Sequence, residues 1–122
     1  MLAKTVIHER LAKRAVEALA KRKITAQFVK DKQEALDAIL NLISPKATIG
    51  IGDSVTMETI GVRARLEERG GHEIFNPFIF LEDGRFADPP EVRVQKMRQA
   101  LLADFFLTGS NAITLDGKIV NI

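Results

Sequence analysis

Apolar residues follow two different spacings along the chain. Segments in which they recur about every third or fourth position, or which carry helix start and stop signals, predict helices over residues 2–22, 31–43, 54–69 and 91–102. Short apolar runs predict strands over residues 24–29, 47–51, 72–75 and 104–107. Residues 76–90 carry turn and proline signals and are predicted to be irregular.

The order of these elements predicts the fold class. Strands that alternate with helices favour a mostly parallel sheet with helices on both faces, and the unbroken apolar run 47–51 suits its central strand. At the end of the chain, residues 111–115 and 118–122 flank Asp116-Gly117, which is a strong signal for a β-hairpin. We therefore expect residues 1–122 to form a single α/β domain.

Composition excludes several kinds of site. The 122 residues include no Cys, which excludes disulfides, cysteine-bound zinc, an iron–sulfur cluster within the chain and a thiol nucleophile. Only two His are present, far apart, so we predict no metal site and no bound cofactor.

Charge and hydropathy bear on partners and location. The net charge is only +2, and the basic run Lys21–Arg22–Lys23 is best explained as the end of a helix, so we predict no nucleic-acid partner. No apolar stretch has the length of a signal-peptide core or a membrane span, so we expect a cytoplasmic protein without membrane attachment.

The loop after the central strand is the first candidate for a binding site. It opens a helix and combines small residues with hydroxyl groups, a pattern that suits an anion at the carboxyl end of a strand. A tight turn that binds nothing, with Asp53 as a helix cap, is the alternative. The candidate ligand-binding residues here are Gly50, Gly52, Asp53, Ser54 and Thr56.

The loop after the last sheet strand is the second candidate. Thr108, Gly109, Ser110 and Asn111 combine a glycine with hydrogen-bonding side chains, although an ordinary turn has the same composition. Two such loops in one parallel sheet are expected to share a crevice for a small anionic ligand.

Glu58 is the one weak catalytic candidate. It lies one turn into the helix after the first loop, where a carboxylate can act as a general base. An exposed helix carboxylate near the positive end of the helix dipole is the favoured interpretation. Neither His lies near a plausible nucleophile in the predicted topology, and Arg63, Arg65 and Arg69 are expected to pair with neighbouring acids on an outer helix face.

Two segments resemble a known family. GIGDSVTMETIG at residues 50–61 and ADFFLTGSNAITLDGKIVNI at residues 103–122 resemble the LUD family, the lactate-utilisation domain proteins. The positions that fall on the family's motifs are Gly52, Ser54, Thr56, Thr108, Gly109, Asn111, Thr114 and Gly117. The resemblance implies a fold like that of ribose-5-phosphate isomerase and the CoA transferases.

The resemblance also implies a function in organic-acid utilisation, with a pocket for a carboxylate, phosphate or CoA-like group and iron–sulfur proteins as partners. An isomerase or transferase acting on a phosphorylated small molecule, and a non-catalytic docking subunit of an iron–sulfur redox complex, are the two alternatives. Family members usually continue beyond the VNI segment, so the domain is expected to be incomplete at its C-terminus. A second copy of the chain is then expected to cover the apolar edge at residues 119–122, making a homodimer.

Overall fold

The computed structural model describes residues 2–122. In this part of the chain it contains five helices and five short strands. They are α1 (Leu2–Lys21), α2 (Lys32–Leu42), β1 (Ile49–Ile51), α3 (Val55–Ile60), α4 (Val62–Arg69), β2 (Ile74–Phe75), α5 (Pro90–Leu101), β3 (Phe105–Leu107), β4 (Ala112–Ile113) and β5 (Ile119–Val120). The chain divides into two compact units: Lys32–Gly109 is one, and the residues up to Asp31 form the other together with Ser110–Ile122.

A parallel sheet with strand order β2-β1-β3 lies at the centre of the larger unit. Ile49 and Ile51 of β1 point to one face, where both are buried, Ile49 completely at 0% exposure. They pack with Leu36 of α2, with Ile43 directly after α2, and with Val62 and Leu66 of α4. The predicted central strand is therefore confirmed, and its burial on this face forms the core of the unit.

The opposite face of β1 is covered by α5, at Gly50. A Cβ at Gly50 would lie 2.4 Å from the backbone oxygen and 2.8 Å from the Cβ of Ala100. Any side chain at residue 50 would therefore push the helix away from the sheet. Because α2 and α4 lie on one face and α5 on the other, the predicted α/β arrangement with helices on both faces is confirmed.

Thr48 and Asp104 fix the register between β1 and β3 just before the two strands begin. The Asp104 carboxylate accepts hydrogen bonds from the Thr48 backbone N–H at 2.8 Å and from its hydroxyl at 3.1 Å. The Asp104 N–H in turn donates to the Thr48 hydroxyl at 2.9 Å. These bonds favour the charged carboxylate and hold the pKa of Asp104 below its ordinary value, with the Thr48 backbone bond as the largest cause.

The helix predicted over residues 54–69 is two helices, so the prediction of one continuous helix was wrong. Gly61 lies between α3 and α4 with φ 87°, in the left-handed region, and its N–H donates to the carbonyls of Met57 and Glu58. A left-handed residue ends a helix, and glycine adopts that conformation without steric cost. The chain therefore turns at Gly61 and starts a second helix at Val62.

The strand predicted over residues 24–29 is also absent. Helix α1 ends at Lys21, Lys23 then adopts the left-handed conformation with φ 62°, and Ile24 N–H donates back to the carbonyl of Leu19 at 3.0 Å. No described strand pairs with residues 24–29. An apolar run becomes a strand only when a neighbour supplies its hydrogen bonds, and this run has none.

The smaller unit contains α1 and the predicted hairpin, which is confirmed. Strands β4 and β5 pair antiparallel, with Ala112 opposite Val120. Gly117 N–H closes the turn by donating to the Thr114 carbonyl at 3.1 Å. Gly117 itself has φ 84°, in the left-handed region. A tight turn that ends in a left-handed glycine is a common hairpin connection.

Two expectations from the sequence concern the exposed edge of the hairpin and membrane attachment. Ile119 and Val120 are exposed, and the second copy expected to cover them stays a prediction. In the described part of the chain, no helix combines the length and apolarity needed to cross a membrane.

Replacing Gly117 with Ala is expected to destabilise the protein more than replacing Gly84. Both glycines have φ near +84°, so each substitution strains the backbone by about 1–3 kcal/mol. A Cβ at Gly84 meets nothing within 4 Å, whereas one at Gly117 lies 2.8 Å from the Ala18 carbonyl. We expect Gly117→Ala to lose at least about 1 kcal/mol more in urea denaturation. Equal losses would show that α1 does not hold the hairpin turn.

Replacing Asp104 with Asn is expected to change how stability depends on pH. A carboxylate whose pKa is lowered on folding stabilises the protein above its unfolded pKa, and this contribution is lost as pH falls through the folded pKa. We expect Asp104→Asn to be less stable than the unmodified protein near neutral pH, with the difference shrinking below about pH 4. Asp37→Asn is the control, because the Asp37 carboxylate accepts a hydrogen bond from Gln33 on its own helix. A pH-independent difference in urea denaturation would contradict the assignment.

Candidate functional site

A cleft of about 730 Å³ opens at the carboxyl ends of β1 and β2. The chain leaves β1 toward α3 and α4 on one face of the sheet and leaves β2 toward α5 on the other face. Where neighbouring parallel strands send their connections to opposite faces, a crevice forms between them, and ligands of open α/β sheets bind there. The volume is also within the ~300–1,000 Å³ typical of small-molecule sites.

The first predicted loop forms part of this cleft. Gly52, Asp53 and Ser54 line it, together with Glu58. Ser54 caps α3, because its hydroxyl oxygen accepts a hydrogen bond from Met57 N–H at 3.2 Å. Asp53 is exposed. Among the hydrogen bonds of the described residues, none joins its carboxylate to a helix N–H.

The structure brings half of the second predicted loop to the first. A Cβ at Gly52 would lie 2.6 Å from the Thr108 hydroxyl, and one at Gly109 would lie 2.6 Å from the Ser54 hydroxyl. Thr108 and Gly109 therefore pack against the first loop, although neither lines the cleft. The two loops follow neighbouring strands and touch each other, but the cleft opens on the other side of β1, so the crevice that they were expected to share stays a prediction.

The remaining predicted binding residues have other surroundings. Gly50 lies inside β1 against α5, and Thr56 is exposed on α3 outside the cleft. Ser110 and Asn111 belong to the smaller unit. There Asn111 closes the hairpin, because its side-chain oxygen accepts a hydrogen bond from Ile122 N–H at 2.9 Å.

One wall of the cleft is an ion-pair network. The Arg63 guanidinium donates to both carboxylate oxygens of Glu58, at 2.8 and 3.1 Å, and to Glu67 at 2.8 Å. The hydrogen bonding of Arg63 to the Glu58 carboxylate is the largest reason why the pKa of Arg63 lies even higher than usual. Glu58 is thus an exposed carboxylate whose two oxygens both hold a cation, which leaves it poorly placed to remove a proton from a ligand.

The facing wall comes from the segment after β2 and from α5. Asn76 is buried directly after β2, and its side-chain oxygen accepts the Phe78 N–H at 3.0 Å, which turns the chain toward the cleft. Phe78, Ile79 and Phe80 add apolar surface, and Lys96 of α5 adds an ammonium group that is paired with Asp88. The cleft therefore has an ionic wall and a largely apolar wall.

Sequence reasoning missed most of this second wall. The same rule that selected the first loop, a polar residue directly after a strand, would have selected Asn76 had β2 been recognised as the neighbour of β1. Lys96 carries no local signal, since a lysine on an amphipathic helix is normally solvent-exposed. Arg63 was expected on an outer helix face with acidic partners, and it does pair with Glu67, but it also lines the cleft.

His72 lies outside the cleft. Its Nδ1 is 2.8 Å from the carbonyl oxygen of Ala47, so this nitrogen carries the proton and donates it. Its buried Nε2 has no hydrogen-bond partner in the described part of the chain. Among the described residues no group of three His, Asp or Glu side chains could hold a metal ion.

The charges lining the cleft nearly balance. Three carboxylates, Asp53, Glu58 and Glu67, face two cations, Arg63 and Lys96. This arrangement favours a ligand with low charge that can both donate and accept hydrogen bonds, and it disfavours a highly charged anion.

The fold and the cleft define an α/β protein with a cleft at a topological switch point of its sheet. The family model of the LUD domain matches residues 12–122. The chain therefore belongs to the LUD domain family and is, in that general sense, a protein of the lactate-utilisation type. No curated protein and no solved structure matches it.

Proposed function

We propose that this LUD domain protein acts in organic-acid utilisation by binding a small, singly charged organic acid in the cleft between β1 and β2. The observation that carries the proposal is the position of the cleft at the switch point of the sheet, where ionic and apolar walls face each other. Membership of the LUD family supports the metabolic context.

Lys96 is the group best placed to bind the acid's carboxylate. An ammonium group has three N–H donors, and in the described residues one of them goes to Asp88. The side chain lines the cleft and is 27% exposed, so bulk water competes only partly with a ligand for the remaining donors. Partial desolvation strengthens a charge-assisted hydrogen bond to a carboxylate.

The rest of the cleft suits a hydroxy acid. A ligand hydroxyl can donate to the Asp53 carboxylate, and a small alkyl group can lie against the apolar wall of Ile74 and Phe78. A phosphate dianion or a CoA-like polyphosphate meets the excess of carboxylates and is disfavoured by repulsion. We therefore expect such ligands to bind more weakly than a monocarboxylate.

The geometry supports binding more than acid–base catalysis. An isomerase or transferase needs a carboxylate free to exchange a proton, and Glu58 is held by Arg63 through both oxygens. Asp53 is the other carboxylate of the first loop, and it is exposed. The role we propose is to hold the organic acid.

Replacing Lys96 with Gln is expected to remove most of the acid's affinity. In a thermal-shift titration, L-lactate or pyruvate at about 100 times its Kd stabilises the unmodified protein by about 2.7 kcal/mol. Lys96→Gln keeps a polar side chain but loses the ammonium charge and with it the charge-assisted bond, so we expect Kd to rise by at least about tenfold.

Arg98→Gln is the matched control, because it removes a cation from the same helix outside the cleft. It is expected to leave the titration unchanged. Inorganic phosphate and CoA serve as comparison probes and should give smaller shifts. A protein that no acid stabilises, or a Lys96→Gln variant that binds as the unmodified protein does, would contradict the proposal.

Replacing Glu58 with Gln is expected to tighten acid binding. The substitution removes one negative charge from the wall and frees guanidinium donors of Arg63 for the ligand. At high dielectric the lost repulsion corresponds to about 1 kcal/mol at 4 Å, or a Kd lower by about fivefold. Glu68→Gln, on the same helix pair but outside the cleft, is the control. A loss of affinity would instead show that Glu58 contacts the ligand.

A further inference from the structure

Phe80 is an aromatic residue in the lining of the cleft. It lines the cavity, yet 54% of the residue is exposed, which is unusual for a phenylalanine. It belongs to a short loop, residues 79–87, whose two arms are joined by Leu81 N–H to the Arg85 carbonyl and by Ala87 N–H to the Ile79 carbonyl, both at 2.8 Å. The ring is therefore carried by a hydrogen-bonded loop.

The ring is also held from the side away from the cleft. Phe86, which does not line the cavity, packs against Phe80 with ring centroids 4.8 Å apart and an interplanar angle of 31°. Arg93 of α5 lies over the Phe86 ring, 3.2 Å from its centroid, and its Nε donates to the Pro77 carbonyl at 3.0 Å. This stack of Arg93, Phe86 and Phe80 fixes the Phe80 ring before a ligand arrives, which lowers the entropy cost of binding to it.

The size of the cleft leaves room for more than a small acid. At about 730 Å³ it is large enough for a drug-sized molecule, whereas a small acid bound as proposed between Lys96 and Asp53 fills only part of it. The unfilled part is bounded by Phe80 and Ile79, both exposed apolar side chains. A planar group placed there would bury apolar surface and stack on the fixed ring.

We propose that the cleft also takes a nucleoside, with its base stacked on Phe80 and its ribose hydroxyls donating to the carboxylates of the ionic wall. The inference rests on the proposed function in using the same cleft, and it adds a second class of ligand group. A nucleoside matches both walls because its base is planar, its ribose supplies vicinal hydroxyl donors, and it carries no charge to meet the carboxylate excess.

The absence of Trp and Tyr from the chain makes this testable by fluorescence. In Phe80→Trp the new indole is the only strong fluorophore, and a base stacking on it quenches its emission. We expect adenosine to quench Phe80→Trp saturably and ribose alone to have no such effect. Phe106→Trp, at an exposed position of β3 outside the cleft, is the matched control and should show no saturable quenching.

A second variant tests the same contact without a new ring. Stacking contributions of the usual size predict that Phe80→Ala weakens adenosine binding by about five- to 150-fold in a thermal-shift titration. Phe80→Leu, which keeps apolar bulk but not planarity, should be weakened as well. Because Phe80 is half exposed, these substitutions leave the core of the sheet intact.

The outcomes separate this inference from the proposed function. If L-lactate or pyruvate stabilises the protein while adenosine neither stabilises it nor quenches Phe80→Trp, the nucleoside inference is wrong and the organic-acid proposal stands. If adenosine binds through Phe80 while no acid binds, the inference stands and the organic-acid proposal falls. Adenosine binding that is equal in Phe80→Ala and the unmodified protein overturns the inference, since the base then lies elsewhere.

Discussion

The close approach of α5 to the sheet at Gly50 is the constraint on which the rest of the larger unit depends. With no side chain at residue 50, Ala100 lies directly on β1, and α5 covers one face while Ile49 and Ile51 anchor α2 and α4 on the other. The two faces receive the connections from β1 and β2 separately, which opens the cleft between these strands. Gly50 thus shapes the site without lining it.

Ion pairs hold one wall of the cleft in place, and side-chain packing holds the other. On one wall, Arg63 holds two carboxylates in a fixed arrangement, although ion pairs this exposed add little to overall stability. On the other wall, the 79–87 loop and the stacked Phe80, Phe86 and Arg93 provide shape through packing. Under the function proposed above, the hydrogen-bonding groups of a ligand contact the first wall and its flat apolar groups contact the second.

Local signals predicted much of the fold. Helix ends at Pro89-Pro90 and Gly70, the hairpin at Asp116-Gly117 and the buried central strand all follow from backbone preferences and short-range patterns. The Gly61 break was missed because an isolated glycine within a helical pattern is often tolerated. The strand expected at residues 24–29 failed because strand formation depends on a partner that no local pattern reveals.

The cleft was only half predictable for the same reason. The first loop could be read from its own residues, but its partner across the cleft depends on strand order, which places β2 and not only β3 beside β1. The ion pair of Glu58 and Arg63 also spans the break at Gly61, because it links the last turn of α3 to the first turn of α4. The Glu58–Arg63 ion pair thus both connects the two helices and forms part of the wall of the cleft. Drawing Arg63 toward a ligand therefore loosens the connection between the helices.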